Sequence, residues 1–142
     1  MNLLRWLLFI FVVIAGIIFL SDSFADFGPY PANVVRVIDG DTVVVDISLW
    51  PDLTQRATIR LAGIDTPELH GPACARPKAE EAKAFLFAFV SPGPVKVIVK
   101  DFDKFGGRYD GTVSVAGKDA GQALIDKGLA RVYVGGLRLP WC

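Results

Sequence analysis

Apolar and polar positions alternate, or run as β-branched blocks, over most of the chain after residue 33. The blocks 34–38 and 43–47 are Val- and Ile-rich and flank Asp39-Gly40-Asp41-Thr42, a pattern that predicts a β-hairpin. The Asp-Gly turn, taken alone, is accounted for by the positive φ values that hairpin turns need. A third strand is predicted over 56–64, after a Pro-Asp loop, with pairing stopped near Thr66 by Pro67, which has no N–H to give. Asp65 and Glu68 are therefore expected at a strand exit. The period then changes from two to 3.6. Residues 78–90 are rich in helix formers, follow Pro77 and end at Ser91-Pro92-Gly93-Pro94, so a helix is predicted there, with Ala82, Phe85, Leu86 and Phe89 on one buried face and acids in its first turn. Strands are predicted again at 95–100 and 109–115. A second helix over 120–127 would be capped by Asp119 and ended by Gly128. Three strands, a helix, two strands and a helix define a mainly β α+β fold. The expected architecture is a five-stranded OB-fold-type barrel, one helix following its third strand and the second lying near the C-terminus.

The N-terminal pattern is different in kind. Residues 6–20 form an unbroken apolar run of 15 behind the single positive charge of Arg5, and Ser23 and Ala25 are small residues suited to a cut before Asp26. This is the layout of a secretory signal peptide, and the alternative is an uncleaved membrane anchor, for which the run is shorter than the roughly 20 residues that span a bilayer. Segment 1–25 is thus set aside as leader or anchor, 26–33, with Gly28, Pro29 and Pro31, as an extended linker, and 34–142 as one domain. The expected location is outside the cytoplasm: periplasmic, secreted or held at a membrane through that segment alone.

Charge narrows the function classes. Fifteen basic and fifteen acidic residues balance, and removing the leader takes one of each. A wide basic surface that coats polyanions is therefore disfavoured, whereas a small local anion site is not. Asp41 and Asp65 are carboxylates at two strand exits that a barrel can bring together, and hard oxygen donors of this kind suit Ca²⁺. Arg60 and Arg108 offer permanently charged planar forks matched to phosphate.

Asp39-Gly40-Asp41-Thr42, then Arg60 with Asp65-Thr66-Pro67-Glu68, then Asp103-Lys104-Phe105-Gly106-Gly107-Arg108 resemble, in order and spacing, the motifs of the staphylococcal nuclease (thermonuclease) family. The resemblance covers residues 34–132. It implies a nuclease that hydrolyses phosphodiester bonds of single-stranded DNA or RNA and leaves 3′-phosphate ends. It further implies that Asp41, Asp65 and the Thr66 carbonyl hold one Ca²⁺, with Asp39 behind them orienting water or the loop. Arg60 and Arg108 would clamp the phosphate, Glu68 would serve as general base or water-orienting group, and Lys104 and Tyr133 would contact substrate. Two departures from the family pattern fall together. Gly106-Gly107 stands where one Gly is usual, which is expected to bulge the hairpin and re-aim Arg108, and Phe105 replaces the usual Tyr.

The second function class is a catalytically silent OB-type module that binds nucleic acid or protein. A third is another Ca²⁺-stabilised hydrolase on the same barrel. All six key positions are retained, which favours the enzyme, expected to act as a monomer. His70 is read as an ordinary exposed loop histidine. Cys74 and Cys142 are the only cysteines. In an exported protein an even pair suggests a disulfide, the alternative being two free thiols.

Overall fold

The computed structural model describes residues 26–103 and 106–142. The expected signal segment and Lys104 and Phe105 lie outside the described residues. Strands β1 (Phe27–Val37), β2 (Thr42–Trp50) and β3 (Leu53–Leu61) form an antiparallel meander; β4 (Ile64–Asp65) follows, then helix α1 (Arg76–Val90), β5 (Val95–Phe102), β6 (Tyr109–Val115), β7 (Lys118–Asp119), α2 (Ala120–Asp126) and β8 (Arg131–Val132). The sheet order is β3-β2-β1-β5-β6-β7. A parallel pairing of β3 with β6, Arg60 opposite Asp110, closes the five long strands into a barrel. This is the mainly β OB-type barrel that the order of elements predicts.

Closure gives every long strand an inward face. Val43, Val45, Ile59, Leu61, Val97 and Val113 fill the interior, and Leu86 of α1 and Leu124 of α2 seal it from outside. Helix α1 buries Ala79, Ala82, Leu86 and Val90, while Phe85 and Phe89 pack half-buried on the same core. Its glutamates stand a full turn inside, not in the first turn, because the helix begins already at Arg76. Asp119 caps α2, accepting from the Gln122 N–H at 2.8 Å, and Gly128 ends it at φ +69°.

Two boundaries differ from the sequence pattern. Residues 27–33 are not a linker: they are the first half of β1, paired with β5 from Phe27 opposite Val99 to Ala32 opposite Val95. Pro29 is tolerated because it falls in the register irregularity between Phe27 and Tyr30, where no ladder donor is required. The third strand starts earlier and ends sooner than the pattern suggests. The polar stretch Leu53-Thr54-Gln55 extends it alongside β2, and Gly63 at φ +77° turns the chain so that Ile64-Asp65 pairs instead with Val132-Arg131. A two-residue strand has no period to read.

Candidate active site

The β1–β2 turn brings Asp41 to the rim of the barrel. The Asp39 carboxylate accepts from the Asp41 N–H at 3.1 Å, and the Asp41 carbonyl accepts from the Leu61 N–H at 2.7 Å, tying the turn to the end of β3. Gly40 is required there for closeness, not for a positive φ. A Cβ at this position would lie 2.8 Å from the Ala82 Cβ and 2.9 Å from the Thr66 hydroxyl. Turn, helix α1 and the Asp65-Thr66 exit are thus pressed together.

Four polar residues are buried at this junction: Asp41, Thr42, Asp65 and Thr66, at 8, 2, 5 and 4% exposure. Arg60 lies against them from β3. Its guanidinium donates to the carbonyls of Leu61 at 3.4 Å and Ile64 at 3.3 Å and reaches the Asp41 carboxylate at 3.4 Å. Thr42 donates to the other Asp41 oxygen at 2.9 Å. Burial nevertheless pushes the Asp41 carboxyl up to about 6 from 3.8; Arg60 pulls it down, while Asp39 adds to the rise. The charge on Asp41 is therefore incompletely compensated by the protein itself.

Asp65 faces the other way. Its Oδ2 accepts from Trp141 Nε1 at 3.1 Å and from Arg131 at 3.4 Å, and its Oδ1 lies 3.5 Å from Arg138 Nε. Glu68, one turn of loop further, is exposed, and Arg138 donates to its Oε1 at 2.9 Å. Among the described residues no three His, Cys, Asp or Glu side chains stand close enough to cage a metal on their own. The Asp41 carboxylate, the less engaged Oδ1 of Asp65 and the Thr66 carbonyl are all oxygens, the donor type a hard cation takes.

Arg108 arrives from the opposite wall. Its guanidinium pairs with Asp103 at 2.7 Å and stays about one-third exposed. Gly106 and Gly107 both take left-handed φ, +75° and +70°, with the Gly106 N–H donating to the Asp103 carbonyl and the Asp103 N–H to the Arg108 carbonyl. Arg108 lines the same open cavity of about 840 Å³ as Asp41, Arg60 and Glu68. Asp110 lies between the two arginines. Burial and the Asp103 charge hold its carboxyl above the usual range, against the pull of Arg60 and Arg108.

Tyr133 also borders the cavity, with its hydroxyl donating to the Gly136 carbonyl at 2.8 Å. His70 is exposed on the loop beyond Glu68. Cys74 and Cys142 are disulfide-bonded, with Cα atoms 6.2 Å apart. Four residues of this neighbourhood escape sequence reasoning: Asp110, Arg131, Arg138 and Trp141. The last two had a signal, since they lie within four residues of Cys142, and a bond from Cys142 to Cys74 draws them toward the Glu68 loop.

The comparisons with known proteins agree with this geometry. The sequence model described as "Staphylococcal nuclease homologue" matches residues 58–137. A thermonuclease of Staphylococcus hyicus is 31% identical over 136 residues, covering 84% of this chain and 76% of that protein. The endonuclease YncB of Bacillus subtilis is 35% identical over 103 residues, 68% of this chain but 45% of its own length. The SPbeta prophage-derived endonuclease YokF of the same species is also 35% identical over 103 residues, again 68% of this chain and 32% of the relative. The chain thus spans three-quarters of the first relative and less than half of the other two.

Proposed function

The chain belongs to the staphylococcal nuclease family, and from that premise we propose that it is a Ca²⁺-dependent nuclease hydrolysing phosphodiester bonds of single-stranded DNA or RNA. The observation that carries this reading is the convergence of Arg60, Arg108 and Glu68, from a strand and two loops, on one cavity whose floor holds the buried Asp41. Two guanidinium groups and a carboxylate around an open cleft are the parts an in-line attack on a phosphodiester needs.

In the reaction we propose, water adds to phosphorus as its proton passes to Glu68. The bond to the 5′ oxygen breaks, the departing alkoxide takes a proton from solvent, and a 3′-phosphate remains. Arg60 is held on three acceptors and so meets the phosphate without reorganising, which is where fixed charge is most effective. Arg108, on a short turn, closes on the opposite oxygens. Asp41, Asp65 and the Thr66 carbonyl would hold Ca²⁺, which supplies Lewis-acid stabilisation of the charge that builds on phosphate. Support for the cation comes from the incompletely compensated charge of Asp41. We place the enzyme outside the cytoplasm on the strength of the 1–25 pattern and of the disulfide, which persists in oxidising compartments. No helix among the described residues is long and apolar enough to cross a membrane.

The test is hydrolysis of denatured DNA and of RNA by the purified chain, with Ca²⁺ or with chelator, followed by analysis of the new ends. Cation-dependent cleavage yielding 3′-phosphates is expected. Oligonucleotide binding without cleavage under any of these conditions would favour the silent binding module instead.

A further inference from the structure

The segment from Tyr133 to Cys142 folds back over the acidic exit of the third strand and is fixed there at several points. Cys142 is bonded to Cys74. The Trp141 ring is covered by the Arg131 guanidinium at 3.7 Å and donates its N–H to Asp65. Arg131 in turn donates to the carbonyls of Leu139 at 2.8 Å and Pro140 at 3.3 Å. Arg138 is the cation this strap presents to the cavity. Its Nη1 reaches Glu68 at 2.9 Å, its Nε lies 3.5 Å from Asp65, and its cationic group stands 5.5 Å over the Tyr133 ring. The side chain remains 41% exposed and borders the same cavity as Arg60 and Arg108.

A surface ion pair alone explains little of this, because such a pair needs no covalent tether, no stacked tryptophan and no place in a cleft. A guanidinium carries five N–H donors in a rigid fork, so with Nε facing Asp65 and Nη1 facing Glu68 the Nη2 group still has donors to offer a phosphate. We propose that Arg138 is a third phosphate-binding arginine of the site, taking a phosphate that flanks the scissile one while holding Glu68 in place, and that the Cys74–Cys142 bond sets its position. This rests on the nuclease reading above. It also explains why a chain of zero net charge needs no wide basic surface: three arginines gather at one cavity.

The test follows cleavage of a denatured oligonucleotide against salt for the wild-type chain, Arg138→Ala, Arg138→Lys and the Cys74→Ser/Cys142→Ser double variant. Each single-stranded phosphate contact contributes about 0.7 to the slope of log(kcat/KM) against log[salt]. Arg138→Ala is expected to lower kcat/KM about tenfold, chiefly through KM, and to flatten that slope by about 0.7. Arg138→Lys should restore the slope but only part of the rate, a split that a purely structural role would not produce. The double serine variant should flatten the slope as Arg138→Ala does, with its far-UV circular dichroism retained; if that signal is lost, reduction of the folded wild-type chain by dithiothreitol makes the same comparison. An unchanged slope in Arg138→Ala overturns the proposal while the nuclease reading stands. Faster cleavage by Arg138→Ala also overturns it and marks Arg138 as a lock on Glu68. A flattened slope in Arg138→Ala but not after loss of the disulfide overturns the tether. An inert wild-type chain overturns both readings.

Discussion

The candidate site has two halves built on different principles. One lies at the strand ends of the barrel rim: Asp41, Arg60, Asp65 and Thr66 are nearly inaccessible there, and Arg60 is held by Asp41 and two backbone carbonyls. The other is carried by loops: Glu68, Arg108 and Arg138 are exposed or half-exposed and each rests on an ion pair. A buried charge is fixed but costly, and an exposed charge is cheap to place but adjustable. The barrel half supplies pre-set electrostatics where charge develops, whereas the loop half can close around a substrate whose backbone varies. Substitutions in the first half should therefore damage fold and activity together, and substitutions in the second should damage activity alone.

Arg60→Ala presses hardest on that distinction. It is expected to lower kcat/KM by about 10³-fold and to destabilise the fold by about 3 kcal/mol, because the buried Asp41 loses its cation. Steady-state kinetics on denatured DNA and urea denaturation check both. Equal activity loss with unchanged stability would erase the difference between the halves.

Arg108→Ala should lower kcat by about 10²-fold and shift the denaturation midpoint little, since its pair with Asp103 is partly exposed and pairs of that kind contribute roughly 0–1 kcal/mol. Stability loss matching that of Arg60→Ala would show the loop to be part of the rigid frame.

Stability against pH sharpens the comparison further. The folded pKa of Asp41 is raised, so the native state binds its proton more tightly than the unfolded chain does. Stability should fall as pH rises from about 4 to about 6 and level off above, by on the order of 2–3 kcal/mol at most. Asp41→Asn should remove that slope. Added Ca²⁺ at pH 7 should raise the melting temperature of the wild-type chain more than that of the variant. Thermal denaturation across pH, with and without cation, reads all three.

The same division governs what could be read from the residues alone. Val43, Val45, Ile59, Val97 and Val113 stand in β-branched or alternating runs that predict the strands, and the order of strands and helices predicts the barrel. Asp41 follows because it stands at a strand end, whereas Arg60 reads as an ordinary strand position until the family resemblance singles it out. Residues 27–33 were hidden as a linker by two prolines, although pairing tolerates Pro29 at an irregularity. Gly40 read as a turn former, whereas its role is the close approach of Thr66 and Ala82, a contact between segments far apart in sequence. The Gly106-Gly107 pair suggested a bulged hairpin, and both glycines do take left-handed φ, a conformation that residue type alone allows but does not dictate. Arg138, Trp141 and Asp110 act through long-range placement, which neither period nor motif expresses. Only the cysteine pair pointed toward the strap.

The central claim is that this cavity hydrolyses phosphodiesters with Glu68 acting on the water. Its most direct test is single-turnover cleavage of a denatured oligonucleotide by the wild-type chain and by Glu68→Gln at matched substrate occupancy. Glu68 is exposed, so Glu68→Gln should leave the barrel and the substrate occupancy unchanged while the cleavage rate drops by about 10²-fold or more. Equal cleavage rates for the two proteins would contradict the account.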